Sequence, residues 1–409
     1  MERFGIRRFN ALPLALKALL ISSLLIPFGS FMVLPFIPIL LHTQAGMNMR
    51  LVGIILGIAS FIQFSGGFVG GIVAEKFGLK RTMIGALAIR SLGFWVLALS
   101  YKAPFLIVLA LFLITTGAAL YLPANKAYLV SAAPPDKKAL FLSFSNSALN
   151  AGMALGPLVG GALIMHFTTV LFMAVFLSFL LLTIVHCVYI SENNDRKKPK
   201  SNSTSRLTTY HFSVTFCPLI YNALAFYSYF FFQNYMGPYT SALYSTQTYS
   251  FILALNALLI VFLQPLLSGW IKKCPYGTLL SLSFALMAMS MLLFSVGALT
   301  ALFLGTLLIT FSEILLFLKN DLEILERLPN RPAIAFGLQR LSSGMGALSS
   351  GILGGLLFSR TSQNNAPHFF WIFLAAQSVV IALCALHYQL PICLEQEICR
   401  FDNLKHSPI

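Results

Sequence analysis

Residues 168–190 read TTVLFMAVFLSFLLLTIVHCVYI, a predominantly apolar segment without one charged side chain. Segments of about 20 such residues are long enough to cross the hydrocarbon core of a bilayer as a helix. Because backbone groups in the bilayer must satisfy their own hydrogen bonds, such segments predict spanning helices and exclude a barrel. Eleven further segments show the same pattern, and the twelve predicted spans are 17–41, 50–74, 82–100, 104–130, 139–166, 168–190, 211–239, 248–270, 278–298, 300–320, 334–358 and 367–391.

The composition agrees with this pattern. The chain of 409 residues is 58% hydrophobic and only 10% charged, and its mean hydropathy is +0.83. A soluble domain of this composition would expose large apolar patches, whereas a helical bundle in lipid requires such a surface. The sequence therefore predicts an all-α membrane protein whose first partner is the lipid bilayer.

The basic balance of the chain has a topological explanation. A formal charge of +15 could indicate a nucleic-acid partner. Most of the 27 Lys and Arg residues, however, fall in every second gap between the spans and in the two terminal segments, all of which lie on the same side of the membrane. This distribution follows the positive-inside rule. It predicts a multi-pass protein of the inner (plasma) membrane with both termini cytoplasmic, and no nucleic-acid partner.

A polar segment at 191–210, SENNDRKKPKSNSTSRLTTY, divides the spans into six and six. The predicted organisation is a bundle at 1–190, a cytoplasmic linker at 191–210, a second bundle at 211–391 and a cytoplasmic tail at 392–409. The halves repeat, because Gly152, Gly160 and Gly161 align with Gly346, Gly354 and Gly355. Two similar halves predict a pseudo-symmetric pair of six-helix bundles with a central cavity that opens alternately to either side.

The loop between the second and third spans reads GIVAEKFGLKR at 71–81. An ordinary positive-inside loop is one interpretation. The order of glycines, acid and bases also resembles the major facilitator superfamily, whose corresponding loop carries Gly-x-x-x-Asp-Arg/Lys-x-Gly-Arg/Lys-Arg/Lys. Here Glu75 replaces the aspartate and Leu79 occupies one basic position. The resemblance implies the major facilitator fold and a loop that contacts the other half in one conformation, through Gly71, Glu75, Gly78, Lys80 and Arg81.

The fifth span contains GMALGPLVGG at 152–161. Gly152, Gly156 and Gly160 share one helix face and allow a neighbouring helix to approach, while Pro157 removes a backbone hydrogen bond. Plain helix packing is the simpler interpretation. The segment, including Gly161, also matches the Gly-x-x-x-Gly-Pro-x-x-Gly-Gly motif of antiporters in the superfamily, and the resemblance implies export.

One feature of the twelve-helix multidrug-efflux branch is absent. Its members usually carry an arginine in helix four, four residues before a glycine. That position corresponds to Leu113 before Gly117. The proton relay implied by the resemblance therefore lacks its usual arginine.

Glu313 is the one acidic residue predicted to lie deep in the membrane. A carboxylate there is costly unless it is protonated or paired. In the functional interpretation, its protonation drives the reorientation of the bundles. In the alternative, it is a neutral residue that hydrogen-bonds a neighbouring helix.

Three basic residues fall within the spans, and long basic side chains near helix ends can extend to the surface. We expect this of Arg90. For Lys126 and Arg340 we retain two interpretations, in which the side chain extends to the surface or lines the cavity. If both line the cavity, an anionic or zwitterionic substrate suits them better than a lipophilic cation.

Further polar residues recur at helical spacing in the fifth, seventh and eleventh spans. Each can hydrogen-bond a neighbouring helix, and together they are typical of a cavity wall. Asn256 is a weaker candidate of the same kind. The predicted cavity residues are Asn146, Asn150, Asn222, Tyr229, Gln233 and Gln339.

The sequence thus favours a monomeric, proton-coupled exporter of a small organic molecule, either drug-like or a polar or anionic metabolite such as a siderophore. An importer or facilitator with the same fold is the alternative. An intramembrane lipid-modifying enzyme is an alternative of a different class. The sequence contains neither an HExxH nor a GxSxG motif, so it lacks the chemistry of such an enzyme. We therefore expect no enzyme activity, no cofactor and no metal site.

Overall fold

A computed structural model describes residues 13–100, 102–132, 138–191, 209–327, 332–364 and 366–405. The described residues form twelve long helices and no strand, which confirms the predicted all-α class. Each helix overlaps one predicted span. The helices are α1 Leu14–Gln44, α2 Met49–Phe77, α3 Leu79–Ser100, α4 Pro104–Ala132, α5 Lys138–Leu163, α6 Thr168–Tyr189, α7 Thr209–Leu243, α8 Thr246–Lys273, α9 Tyr276–Val296, α10 Leu299–Arg327, α11 Pro332–Gln363 and α12 His368–Lys405.

Some predicted segments fall beyond these ranges. The amino terminus at 1–12, the loop at 328–331 that contains Arg331, and most of the linker, 192–208, lie outside the described residues. The last helix continues past residue 391 to Lys405, so the backbone of the predicted tail is helical as far as it is described.

Ten of the described helices are long and apolar enough to cross a membrane. The other two are α5 and α7, whose polar side chains lower their mean hydropathy. These two helices carry five of the predicted cavity residues, Asn146, Asn150, Asn222, Tyr229 and Gln233. Polar side chains on a spanning helix need a partner or an aqueous cavity, so α5 and α7 belong at the centre of the molecule.

The two ends of the molecule differ in charge. The loops between α2 and α3 and between α8 and α9 are flanked by Lys76, Lys80, Arg81, Lys272 and Lys273. We call this side the basic end. The side that carries the α1–α2 and α7–α8 loops is called the opposite end.

The glycine repeat of the sequence is also a repeat of helix contacts within each bundle. Gly152 and Gly160 on α5 lie against the backbone of α1, so that a Cβ at either position would overlap α1. Of their counterparts on α11, Gly346 lies against the backbone of α7 and Gly354 against the rings of Phe231 and Tyr235 on α7. The two bundles therefore use one packing scheme twice.

The repeat extends to the contacts between the bundles. Gly161 on α5 lies against Ser250 of α8, and its counterpart Gly355 on α11 lies against α2, where a Cβ would be 2.9 Å from the Met49 carbonyl oxygen. Ser250 and Met49 both lie near the opposite end of their helices. The pseudo-symmetric contacts thus join the two bundles at that end.

The contact between α2 and α11 is the tightest part of this closure. A Cβ at Gly351 would lie 2.5 Å from the Gly53 carbonyl oxygen and 2.5 Å from Gly57 Cα. The Tyr235 hydroxyl donates to the Gly351 carbonyl oxygen at 2.7 Å. Only glycine permits two helix backbones to approach this closely.

The packing is looser toward the basic end. On α2, a Cβ at Gly67 or Gly71 would meet no atom within 4 Å, and the same holds for Gly269 on α8. Asn146, on the basic half of α5, is exposed. The space between the bundles therefore opens toward the basic end and is closed at the opposite end.

We expect Gly351→Leu to separate the bundles at the opposite end, because the leucine overlaps the backbone of α2. Overpacking of about 1–3 kcal/mol is enough to shift a conformational equilibrium about fivefold to about a hundredfold. Spin labels at Gln44→Cys and Ala242→Cys, one in each bundle at that end, should report a longer label-to-label distance by double electron–electron resonance. Gly85→Leu on α3 is the matched control, since a Cβ there meets nothing within 4 Å. An unchanged distance in folded Gly351→Leu protein would contradict the assignment of the closure.

Candidate functional site

Glu313 lies in the middle of α10, beside side chains of two other helices. Asn256 of α8 donates from Nδ2 to Glu313 Oε2 at 2.9 Å and to Thr310 Oγ1 at 3.0 Å. The Tyr229 hydroxyl of α7 lies near the carboxylate. Glu313 is only partly buried by accessible surface. A carboxylate with neutral donors and some remaining access is able to gain and lose a proton.

Gln233 lies on the opposite-end side of this carboxylate. Its Oε1 is 3.4 Å from the Tyr229 hydroxyl, and its backbone carbonyl oxygen is 3.4 Å from the Tyr249 hydroxyl. Three of the predicted site residues, Glu313, Tyr229 and Gln233, are therefore neighbours. The weaker candidate Asn256 turns out to be a direct partner of Glu313.

A second charged group lies toward the basic end. Lys126 of α4 and Arg340 of α11 are within electrostatic range of each other and of Asp321 on α10. Gln339 donates from Nε2 to Asp321 Oδ1. Lys126 belongs to the first bundle and the other three residues to the second. We call Lys126, Asp321, Gln339 and Arg340 the charged cluster.

Asp321 was missing from the sequence-based site. The predicted tenth span ends at residue 320, whereas α10 continues to Arg327 and its apolar span reaches Ile324. A second acidic residue, Asp321, therefore lies within the helix of the tenth span. The segment KNDLEILER at 319–327 keeps apolar residues at helical spacing, and this signal could have extended the helix.

Phenylalanine rings separate Glu313 from the charged cluster. On α10, Phe317 lies one turn from Glu313 and one turn from Asp321, and its ring centroid is 4.8 Å from that of Phe226 on α7. Phe64 of α2 reaches across from the first bundle, with centroid distances of 5.2 Å to Phe226 and 5.6 Å to Phe230. We call Phe64, Phe226, Phe230 and Phe317 the aromatic layer.

Arg340 connects the charged cluster to the aromatic layer. Its guanidinium carbon is 5.8 Å from the ring centroid of Phe64, a cation–π contact between the bundles. The sequence analysis assigned no role to Phe64, Phe226 or Phe317, because isolated aromatic residues in a membrane helix resemble ordinary packing. Only the folded chain brings rings of three helices together.

Asn222 does not line the cavity as predicted. It is fully buried between α7 and α11, and its Nδ2 donates to the Gln339 carbonyl oxygen at 3.1 Å and to the Ser342 and Ser343 hydroxyls at 2.9 Å each. Its amide is therefore committed to holding two helices of one bundle together. Asn146, by contrast, is exposed on α5, and Asn150 is partly buried one turn away.

The expectation that Arg90 extends to the membrane surface is wrong. Arg90 is only 4% exposed, because its side chain lies among α1, α4 and α6. Its guanidinium donates to the Ser30 hydroxyl and lies 4.8 Å from the ring centroid of Phe179. Its aliphatic part fills the space that a Cβ at Gly117 would need. The aliphatic part of an arginine side chain thus packs against the helix-four glycine from helix three.

The loop motif is placed at the basic end. Gly78 has a φ of 98°, so the turn between α2 and α3 requires the conformational freedom of glycine. Glu75 and Arg81 are exposed, and Lys80 is partly buried.

The helix-five motif seats α5 on α1. A Cβ at Gly156 would lie 2.7 Å from the Phe28 carbonyl oxygen and 2.8 Å from Phe31 Cβ. Pro157 follows inside α5, which continues as a helix to Leu163. The motif therefore fixes the position of a cavity helix within its bundle.

A separate groove of about 490 Å³ lies between α1 and α6. Its lining contains no ionisable side chain, and Ile21 and Leu181 at its rim are exposed. A groove of this character on the outer surface suits lipid chains better than a polar substrate. Among the described residues, no group of His, Cys, Asp or Glu could hold a metal ion, and Cys187, Cys217, Cys274 and Cys384 are free thiols.

Comparison with known families and proteins agrees with this architecture. The sequence matches the Major Facilitator Superfamily over residues 19–318. It is also similar to the multidrug resistance protein MdtH of Salmonella paratyphi B and of Salmonella newport, with 32% identity over 148 residues in each case. The match covers 36% of this chain and 37% of each relative, so it spans little more than a third of their length.

Solved structures with the same fold are distant in sequence. A peptide transporter POT in complex with sulfate has a TM-score of 0.79 and 15% identity, and the match covers 95% of this chain and 96% of that one. A variant of the nucleoside transporter NupG has a TM-score of 0.76 and 14% identity, covering 91% and 99%. At this identity the likeness establishes the fold alone.

We expect Asn222→Ala to lower the free energy of unfolding by roughly 1–2 kcal/mol, because hydrogen bonds between α7 and α11 are lost. Thermal unfolding in detergent measures this change. Asn146→Ala is the control, since Asn146 is exposed and its loss should leave the unfolding temperature nearly unchanged. A fully stable Asn222→Ala protein with altered ligand preference would return Asn222 to the cavity wall.

Proposed function

The chain belongs to the major facilitator superfamily and is a membrane transporter, not an enzyme, and from this premise we propose that it is a proton-coupled exporter of a small organic molecule. The bundles 1–190 and 211–391 exchange the exposure of the space between them. Two features support this mechanism. The opposite end is closed by glycine contacts, and the basic end is loosely packed.

Glu313 is the proposed proton-coupling residue, and its geometry is the observation that carries the proposal. Its carboxylate lies in the middle of α10, accepts a hydrogen bond from Asn256 and lies near Tyr229, and it has no cation among its partners in the described part of the chain. The loss of a proton there changes the charge of a site between α7, α8 and α10. Coupling requires such a change at the place where the two conformations differ.

The direction of transport is proposed from the helix-five motif and from the relatives. GMALGPLVGG seats α5 on α1 and matches the antiporter pattern of the superfamily at each fixed position. The relatives that share 32% identity over 148 residues are multidrug resistance proteins. These features favour export of a drug-like compound or of an anionic metabolite such as a siderophore. Import or facilitation remains the alternative, since helix four carries Leu113 where antiporters have arginine.

We propose for the topology that the basic end faces the cytoplasm and that the chain is a monomer of the inner membrane. The Lys and Arg residues at this end support this orientation through the positive-inside rule. The proton then enters Glu313 from outside, and the substrate enters from the cytoplasm. Both termini lie on the cytoplasmic side in this arrangement.

Glu313→Gln should abolish proton-coupled transport while the protein remains folded, because glutamine keeps the hydrogen bonds but cannot lose a proton. The assay is proton flux in proteoliposomes, driven by a panel of drug-like compounds and carboxylate-bearing siderophores. Glu326→Gln, at an exposed position on the same helix, is the control and should transport like the parent protein. Undiminished coupled flux in Glu313→Gln would remove the proton role.

The orientation is tested by labelling with a membrane-impermeant maleimide after replacement of the six native cysteines by serine. Arg360→Cys at the opposite end should react in intact cells, because that end faces outward. Lys272→Cys at the basic end should react only after permeabilisation. The reverse pattern would invert the proposed topology.

A further inference from the structure

The charged cluster contains cations whose hydrogen-bond donors have no protein partner. Within the part of the chain that the structure describes, neither Lys126 nor Arg340 makes a hydrogen bond or an ion pair within 4 Å. Asp321 is near both, yet the hydrogen bond to its carboxylate comes from Gln339. A guanidinium and an ammonium group inside a membrane protein are normally paired. Their unused donors are available to an anionic ligand.

The two cations come from different bundles. Lys126 is on α4 and is exposed to the space between the bundles, while Arg340 is on α11 and is partly buried. The cluster holds two cations and one carboxylate, so its charge remains positive without a ligand. A single anion that reaches both side chains would satisfy them and connect the two halves.

The aromatic layer lies directly beside these donors. Phe64, Phe226 and Phe317 are each only partly buried, and Arg340 lies over the ring of Phe64. Flat apolar groups pack favourably against such rings. A guanidinium group can also bind an anion in its plane while its face stays on an aromatic ring.

From these contacts we infer that the transported molecule is an aromatic organic anion. Its carboxylate, sulfonate or phosphate bridges Lys126 and Arg340, and its ring system lies against Phe64, Phe226 and Phe317. The inference rests on the proposed transport function and names the substrate class of the same site. Glu313 lies on the other side of the aromatic layer and is not required for anion binding.

The test is a binding measurement on the purified full chain in lipid nanodiscs, by isothermal titration. The probes are 1-naphthoate, 1-naphthalenesulfonate and 1-naphthyl phosphate. The matched cation 1-naphthylmethylammonium and the non-aromatic anion cyclohexanecarboxylate complete the panel. At least one naphthyl anion should bind about tenfold or more tightly than the cation, as expected when charge-assisted hydrogen bonds are formed. It should bind about threefold or more tightly than cyclohexanecarboxylate, as ring packing predicts.

Three variants locate the site. Lys126→Gln and Arg340→Gln should each weaken the naphthyl anion about tenfold or more, because each removes one charged donor. Phe64→Leu should weaken it about threefold while the affinity for cyclohexanecarboxylate stays unchanged. The controls are Lys272→Gln and Phe262→Leu, both at exposed positions of α8, and they should bind like the parent protein. If Arg340→Gln does not fold, the single variants Arg340→Lys and Lys126→Gln test whether the cations bind the anion.

The inference is overturned if none of the three naphthyl anions binds, if the matched cation binds as well, or if folded Lys126→Gln and Arg340→Gln proteins retain full affinity. Measurements on Glu313→Gln distinguish failure of this inference from failure of the proposed proton coupling. Anion binding retained in Glu313→Gln, together with normal coupled flux, removes the proton role and leaves the substrate class intact. Loss of coupling in that variant, without anion binding to the parent protein, removes the substrate class alone.

Discussion

The close approach of α2 and α11 is the constraint on which the rest of the structure depends. A bilayer offers no hydrophobic driving force between helices, so the two bundles are held together by backbone contact where glycine permits it. Gly53, Gly57 and Gly351 bring two backbones together at the opposite end, and the Tyr235 hydroxyl bonds the same turn. Because this contact closes one end, the cavity is accessible from the other end.

Along the axis of the molecule, polar and apolar groups alternate in three levels. The charged cluster lies nearest the open basic end, the aromatic layer follows, and Glu313 lies beyond that layer in the middle of the molecule. α10 contributes one residue to each level, at 321, 317 and 313, because successive turns of a helix face the same direction. One helix thus connects the anion-accessible side of the site to the carboxylate.

The fold was readable from the sequence because lipid imposes a simple rule on every spanning segment. The twelve spans and the paired glycines follow from hydropathy and from the need for close helix contact. Asp321 was missed since hydropathy falls before the helix ends, and its backbone continues as helix to Arg327. Asn222 and Arg90 were misplaced because sequence spacing gives the face of a helix but not its neighbour. The aromatic layer depends on three helices from two bundles, a relationship that no local pattern contains.

The placement of Lys126 and Arg340 on different bundles has a consequence for alternating access. When the basic end closes, two cations approach each other. Unit charges 4 Å apart repel by about 4 kcal/mol at an effective dielectric constant of 20, which is comparable to the free-energy difference between transporter conformations. Asp321 offsets part of this repulsion, but it is one carboxylate between two cations. An anion bound between them removes the remainder, so the loaded transporter closes at the basic end more readily than the empty one.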